Sequence, residues 1–240
     1  MITSIPIQNI LFLDVETVPQ YSLFEEMPEN WKQLWLLKAN TLLRGREEEA
    51  GENIYERAGI YAEFGKIVCI SCGVVQGSDN HRKIVLKSFA GENERLLLAD
   101  FSEMLEKWIT REPKYLCAHN GKEFDFPYIC RRMLINGLPI PPLLNIIGKK
   151  PWEVTHLDTM ELWKFGDYKS YTSLNLLAQA LGIPTPKDDI DGSRVAKVFY
   201  EEKNLPRIVT YCQKDVVTVA QIYLRMSGEA LIQEEDVVIK

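Results

Sequence analysis

The stretch Ile10-Leu-Phe-Leu-Asp14-Val-Glu16-Thr17 decides how the rest of the chain is read. Ile10 to Val15 is a short apolar run, the pattern of a strand buried on both faces, which places it inside a sheet covered by helices. The run ends in acids. Side chains alternate across a strand, so Asp14 and Glu16 point to the same side. Two like charges projecting together cost free energy unless a cation sits between them. An isolated Asp-x-Glu is also an ordinary strand-to-loop transition, so the pair gains meaning only from acids elsewhere.

Working outward, Lys66 to Val75 reads as a second apolar strand and residues 82–90 as a third, paired with it through the turn Gln76-Gly-Ser-Asp-Asn80. Lys114 to Ala118 reads as a fourth strand and Val154 to Thr159 as a fifth. Between the first two strands, residues 20–64 have helical periodicity and few strand formers, and read as a helical insertion. Its Trp31, Trp35 and Leu42 are either core residues or anchors for a polymerase or helicase partner. Helices are predicted over 93–108, over 126–136 with Pro127 in the first turn, over 173–181 stopped by Gly182, and over 205–225 with Pro206 in its first turn. The order implies an α/β fold, a mixed five-stranded sheet flanked by helices with its site at the carboxyl ends of the strands. One domain would span residues 1–228, followed by an acidic tail over 229–240.

The chain has 240 residues, 46% hydrophobic and 26% charged, the balance of a globular domain and not of a disordered or fibrous one. Its net charge of -6 excludes a protein that coats nucleic acid by bulk charge. The charge is uneven: residues 114–169 hold eight bases against six acids, a local +2 that leaves -8 for the remainder. No stretch approaches the ~18–20 apolar residues of a membrane span, and the first residues lack a basic leader, so a cytoplasmic protein is expected. Five cysteines in apolar surroundings suit reduced core thiols, and the Cys69-x-x-Cys72 pair suits strand packing better than zinc.

Two further acidic groups join the first. In Asn120-Gly-Lys-Glu-Phe124-Asp125-Phe-Pro127, Asp125 stands at a helix start, where it would also serve as a cap. In the last helix, Tyr211 and Asp215 are four residues apart and share a face. Asp158, at a strand end, reads as a turn cap or a supporting acid, and Asp188, Asp189 and Asp191 as turn and cap residues.

Asp-x-Glu, then Asn-x3-Phe-Asp, then Tyr-x3-Asp, in this order, resemble the DEDD superfamily of 3'-5' exonucleases with a DnaQ-like, ribonuclease H-like fold. The subclass that uses histidine would carry it at position 210, where this chain has Thr210, so the tyrosine subclass is implied. The runs FGKIVCIS, HNGKEFDFPYI, LDTMELWKFGD and KDDIDGS are similar to stand-alone bacterial exonucleases related to family B DNA polymerases. The resemblance implies Asp14, Glu16, Asp125 and Asp215 as ligands of two Mg2+ or Mn2+ ions that clamp an in-line displacement at phosphorus, with Tyr211 positioning the water. It further implies Thr17, Asn120 and Phe124 as substrate contacts. The expected substrate is single-stranded DNA or a frayed 3' end, releasing nucleoside 5'-monophosphates in repair, replication or proofreading in trans. An RNA 3'-end exonuclease of the same fold and a non-catalytic nucleic-acid scaffold remain as alternatives.

Overall fold

The computed structural model describes residues 5–43, 51–77, 81–109, 111–167, 171–184 and 190–240. Its centre is a six-stranded mixed sheet in the order β5-β4-β1-β2-β3-β6. The strands are β1 (Ile10–Pro19), β2 (Gly65–Gln76), β3 (Lys83–Ala90), β4 (Tyr115–Ala118), β5 (Leu157–Asp158) and β6 (Val237–Ile239). β1, β2 and β3 form an antiparallel meander, while β4 joins β1, β5 joins β4 and β6 joins β3 in parallel.

The sheet is covered on both faces, and the alternation of β1 says by what. Leu11, Leu13 and Val15 pack with α2 (Glu94–Trp108) and α3 (Asp125–Ile135), whereas Ile10 and Phe12 pack with α7 (Leu205–Met226). Asp14 and Glu16, with the even numbering, therefore face α7. α5 (Leu174–Ala180) and α6 (Val195–Tyr200) flank α7 on that same side. Each predicted helix is present, with Asn93, Ser173 and Asn204 capping the starts of α2, α5 and α7 through their side chains.

Three expectations need correction. β1 does not end at Val15 but runs four residues further, through Glu16 to Pro19, with a register shift between Glu16 and Thr17. The sheet has six strands, not five. The sixth comes from residues 229–240, which do not trail as a tail: Ile232 is buried, held by Gln221 at both backbone N–H (3.0 Å) and C=O (2.7 Å), and Val237–Ile239 then adds to β3. Two short helices, α4 (Thr159–Lys164) and α6, went unforeseen because six residues give too little period to read.

The insertion folds as α1 (Glu29–Leu42) and a 3-10 segment, Gly51–Ile60. Trp35 is fully buried, edge-on to Tyr55 and Phe64, and donates its indole N–H to Gly51 at 3.0 Å. It is core, not an anchor. Leu42 packs partly buried on the same cluster, and Trp31 lies edge-on to Phe64. The insertion is fixed to the sheet by a buried pair, Arg132 with Glu94 (2.8 and 2.5 Å), in which Glu94 also accepts the Ile67 N–H at 2.7 Å and Arg132 donates to the Ala62 carbonyl at 2.8 Å. Asp188 and Asp189 lie outside the described residues. Asp191 caps a turn, accepting the Ser193 N–H at 2.9 Å.

Candidate active site

The geometry of the site follows from where pairing stops. β1 pairs with β4 only over Ile10–Phe12, so beyond Phe12 that edge of β1 is open. The start of α3 fills it: the Asp125 carboxylate accepts hydrogen bonds from the Val15 N–H and from its own backbone N–H. The loop before α3 is held by Asp158, whose carboxylate accepts from the N–H groups of Asn120 (2.9 Å) and Lys122 (3.1 Å) while capping α4 through Met160 (3.0 Å). Asp158 therefore serves as the cap the sequence suggested, and it also faces Asp125 closely enough to act on its charge.

From the other side α7 brings Tyr211, Cys212 and Asp215 over β1. Cys212 donates to the Asp14 carbonyl at 3.4 Å, which fixes the helix register against the strand. One oxygen each from Asp14 and Glu16 and the Cys212 sulfur lie within 4.8 Å of one another. A part-buried chain ties α7 to β2 and β3: Gln213 donates to the Ser88 hydroxyl at 2.9 Å, and Ser88 meets Ser71 at 2.9 Å.

The electrostatics record the convergence of the four acids. Asp14 is pushed well above the usual carboxylate range by burial first, then by the charges of Glu16, Asp215 and Asp125. Glu16 is pushed up likewise, by burial and then by Asp215. Asp125 is pushed up to about 7, chiefly by burial, against the lowering effect of its backbone hydrogen bonds. Tyr211 is also raised, by burial and then by Asp215, Glu16 and Asp14, and it hydrogen-bonds Asp215. Its hydroxyl therefore stays protonated. Asp14 Oδ2 is buried with no hydrogen-bond partner. Converging carboxylates with an orphaned buried oxygen fit a hard divalent cation, because only a cation relieves burial and repulsion together.

The expected substrate contacts are distributed unequally. Asn120 sits beside the cluster in a left-handed conformation (φ 61°), with its buried Oδ1 unpartnered. Phe124 precedes Asp125 and is tilted against Tyr128, ring centroids 5.2 Å apart, half-buried. Thr17 hydrogen-bonds the Tyr128 hydroxyl, which itself donates to the Gly59 carbonyl at 2.7 Å, so the Thr17 side chain is already engaged. Cys212 is the site residue that sequence reasoning missed. Its spacing of three from Asp215 on one helix was the available signal. The CxxC pair divides across β2, Cys69 packing toward α7 and Cys72 toward α2, as a spacing of three in a strand requires; all five cysteines are free and buried.

A cleft of about 450 Å3 lies elsewhere, between the insertion and α2–α3, lined among others by Trp31, Lys66, Glu94 and Arg132. None of the clustered acids lines it. No helix among the described residues is long and apolar enough to cross a membrane.

The fold is similar to that of a polymerase exonuclease domain. The family B DNA polymerase from the hyperthermophilic archaeon Pyrobaculum calidifontis is similar in structure, with a TM-score of 0.56 and 15% identity over 93% of this chain. The chain spans about a quarter of that polymerase, 24% of its length. The chain belongs to the family described as predicted 3'-5' exonucleases related to the exonuclease domain of PolB, whose model matches residues 60–236. That range holds Asp125, Tyr211 and Asp215 and begins after Asp14 and Glu16. No curated protein matches the chain.

Proposed function

We propose that the protein is a metal-dependent 3'-5' exonuclease of the DEDD type with a site tyrosine, on a ribonuclease H-like sheet, acting on single-stranded DNA or a frayed 3' end. The observation that carries this reading is the meeting of acids at one place: an oxygen each of Asp14 and Glu16 lies within 4.8 Å of the other and of the Cys212 sulfur, Asp125 enters beside them on the Val15 N–H, and Asp14 Oδ2 is left without a partner. Asp14, Glu16, Asp125 and Asp215 would hold two Mg2+ or Mn2+ ions. Such ions, when bound, offset the carboxylate charge, activate a water and stabilise charge that develops on the scissile phosphate.

The chain's own residues do the rest. Tyr211, kept neutral by its surroundings, is suited to orient the attacking water through its hydroxyl and not to remove its proton. The water oxygen bonds to phosphorus as the bond to the 3' oxygen breaks; the water's proton passes to solvent, and the departing oxygen takes one up from solvent to leave as the new 3'-hydroxyl. The product is a nucleoside 5'-monophosphate. Asn120 offers its free Oδ1 to a donor on the penultimate nucleotide, and Phe124 an apolar face. Thr17 contributes backbone, or its hydroxyl if the bond to Tyr128 exchanges. Processing of DNA ends in repair, replication or proofreading in trans is the setting this chemistry suits.

The test is digestion of a 5'-labelled oligonucleotide. Stepwise shortening from the 3' end with Mg2+ or Mn2+, arrest by EDTA and loss in Asp14→Ala are expected, and undiminished activity in Asp14→Ala would overturn the site. A matched RNA arm separates the two strand classes, which differ in the 2'-hydroxyl.

A further inference from the structure

Beyond the acid cluster, one short stretch holds three large aromatic side chains in water. Trp163 is 36% exposed, Phe165 82% and Tyr171 70%. A single exposed hydrophobic residue is unremarked on most proteins, but several together on one stretch mark a contact surface. Phe165 is doubly ill-suited to its place. It ends α4 in the left-handed region (φ 44°, ψ 35°), where glycine is the usual occupant, and its side chain is largely exposed. Such outliers concentrate at functional positions.

This stretch is fastened to the candidate site. α4 begins at Asp158, which holds Asn120 and Lys122 by their backbone N–H groups. The Lys122 ammonium pairs with Glu161 on the first turn of α4 at 2.6 Å. The His119 ring bonds the Thr159 hydroxyl at 2.9 Å and, on its other nitrogen, the Thr172 carbonyl at 2.8 Å. Both ends of the aromatic stretch are thereby one hydrogen bond from the loop that leads into Asp125. Lys164 stands between Trp163 and Phe165, within residues 114–169, where eight bases face six acids. Two other aromatics are exposed, each alone on its own element, Trp152 at 77% and Trp31 at 36%, while Leu34 and Leu37 of α1 and Leu134 and Ile135 of α3 are aliphatic.

We propose that Trp163, Phe165 and Tyr171 form a stacking rim for the bases of single-stranded DNA on the 5' side of the nucleotide being removed, with Lys164 at its phosphates. The proposal rests on the nuclease reading and extends it from the scissile bond to the strand. Aromatic faces accept any base, which suits an enzyme that must advance along a strand whatever its sequence. Lysine supplies the phosphate contact without sequence information. Continuity with the acid cluster fixes the occupant as the strand that enters it.

Fluorescence anisotropy with 5'-labelled oligo-dT of 4, 8 and 12 nucleotides, in EDTA so that no cutting occurs, tests the rim. Phe165→Gly removes the ring and gives the left-handed position the residue that suits it. Its melting temperature should hold or rise while its affinity for the 12-mer falls about fivefold or more. Phe165→Trp should retain binding and Phe165→Leu should not, since stacking needs a π face and apolar bulk alone does not supply one. Wild-type affinity in Phe165→Gly and Tyr171→Ala, or restoration by leucine as complete as by tryptophan, would overturn the rim. If the wild type shortens the 12-mer with Mn2+ while the Phe165 variants bind like it, the rim falls and the nuclease reading stands. If the wild type binds with this dependence and never cuts, the nuclease reading falls and the rim stands. A wild type that binds no oligonucleotide sinks both.

Discussion

Replacing Asp125 by asparagine should stabilise the metal-free protein at pH 8. Its carboxyl moves from 3.8 to about 7 on folding, chiefly through burial. Between those values the folded chain holds a proton that the unfolded chain has released, so stability falls as pH rises through about 4 to 7 and is flat above. The shift is roughly three pKa units, or ~4 kcal/mol at 1.36 kcal/mol per unit. Asparagine carries no charge and escapes this cost. The carboxylate's hydrogen bonds to the Val15 N–H and to its own N–H are already counted in that shift, since they lower it. A gain of ~4 kcal/mol at pH 8 follows, roughly 8–16 °C in melting temperature at ~2–4 °C per kcal/mol for a domain of this size. Near pH 4 the gain should vanish. Thermal melts in EDTA across pH 4.5–8 read the difference between Asp125→Asn and wild type, and added Mg2+ or Mn2+ should raise wild type more than the variant. A difference that is negative at pH 8, or that does not grow with pH, would refute both the cluster's electrostatics and its role as a cation seat.

Other expectations concern separate parts of the molecule. Tyr211→Phe should lower kcat about ten- to hundredfold with KM for an oligonucleotide little changed, as loss of a water-orienting hydroxyl requires; a change confined to KM would place Tyr211 in binding. Glu94→Ala strands the buried Arg132 and frees the Ile67 N–H, so chemical denaturation should show a loss of about 3–5 kcal/mol. A loss under 1 kcal/mol there would mean the pair does not hold the insertion to the sheet. Trp35→Ala should cost about 3–5 kcal/mol, whereas Trp31→Ala, edge-on and part-exposed, should cost far less. Equal costs would contradict the assignment of Trp35 to the core.

The elements read best from sequence were those whose local pattern and tertiary role agree. β1 and β2 are apolar because they are buried on both faces, β3 alternates because one face is open, and α2, α3 and α7 carry a stripe long enough to count, with caps or prolines at their starts. The acids were legible in the same way: alternation puts Asp14 with Glu16, and a spacing of four puts Tyr211 with Asp215. What sequence could not say is that β1 continues past its acids, since the pairing with β2 that extends it to Pro19 depends on residues some fifty positions away in the chain. Nor could it say that residues 229–240 return to the sheet, because β6 is three residues long and specified only by the open edge of β3. Local sequence thus determined which residues carry charge and on which side of each element they lie. Only the tertiary structure decided that Asp125 enters an edge of β1 that β4 leaves unpaired, that Cys212 locks α7 to the Asp14 carbonyl, and that Asp14 and Glu16 thereby meet Cys212 within 4.8 Å. Those outcomes depend on pairing that ends, helices that cross and water that is excluded, all of them properties of packing between segments far apart in the chain.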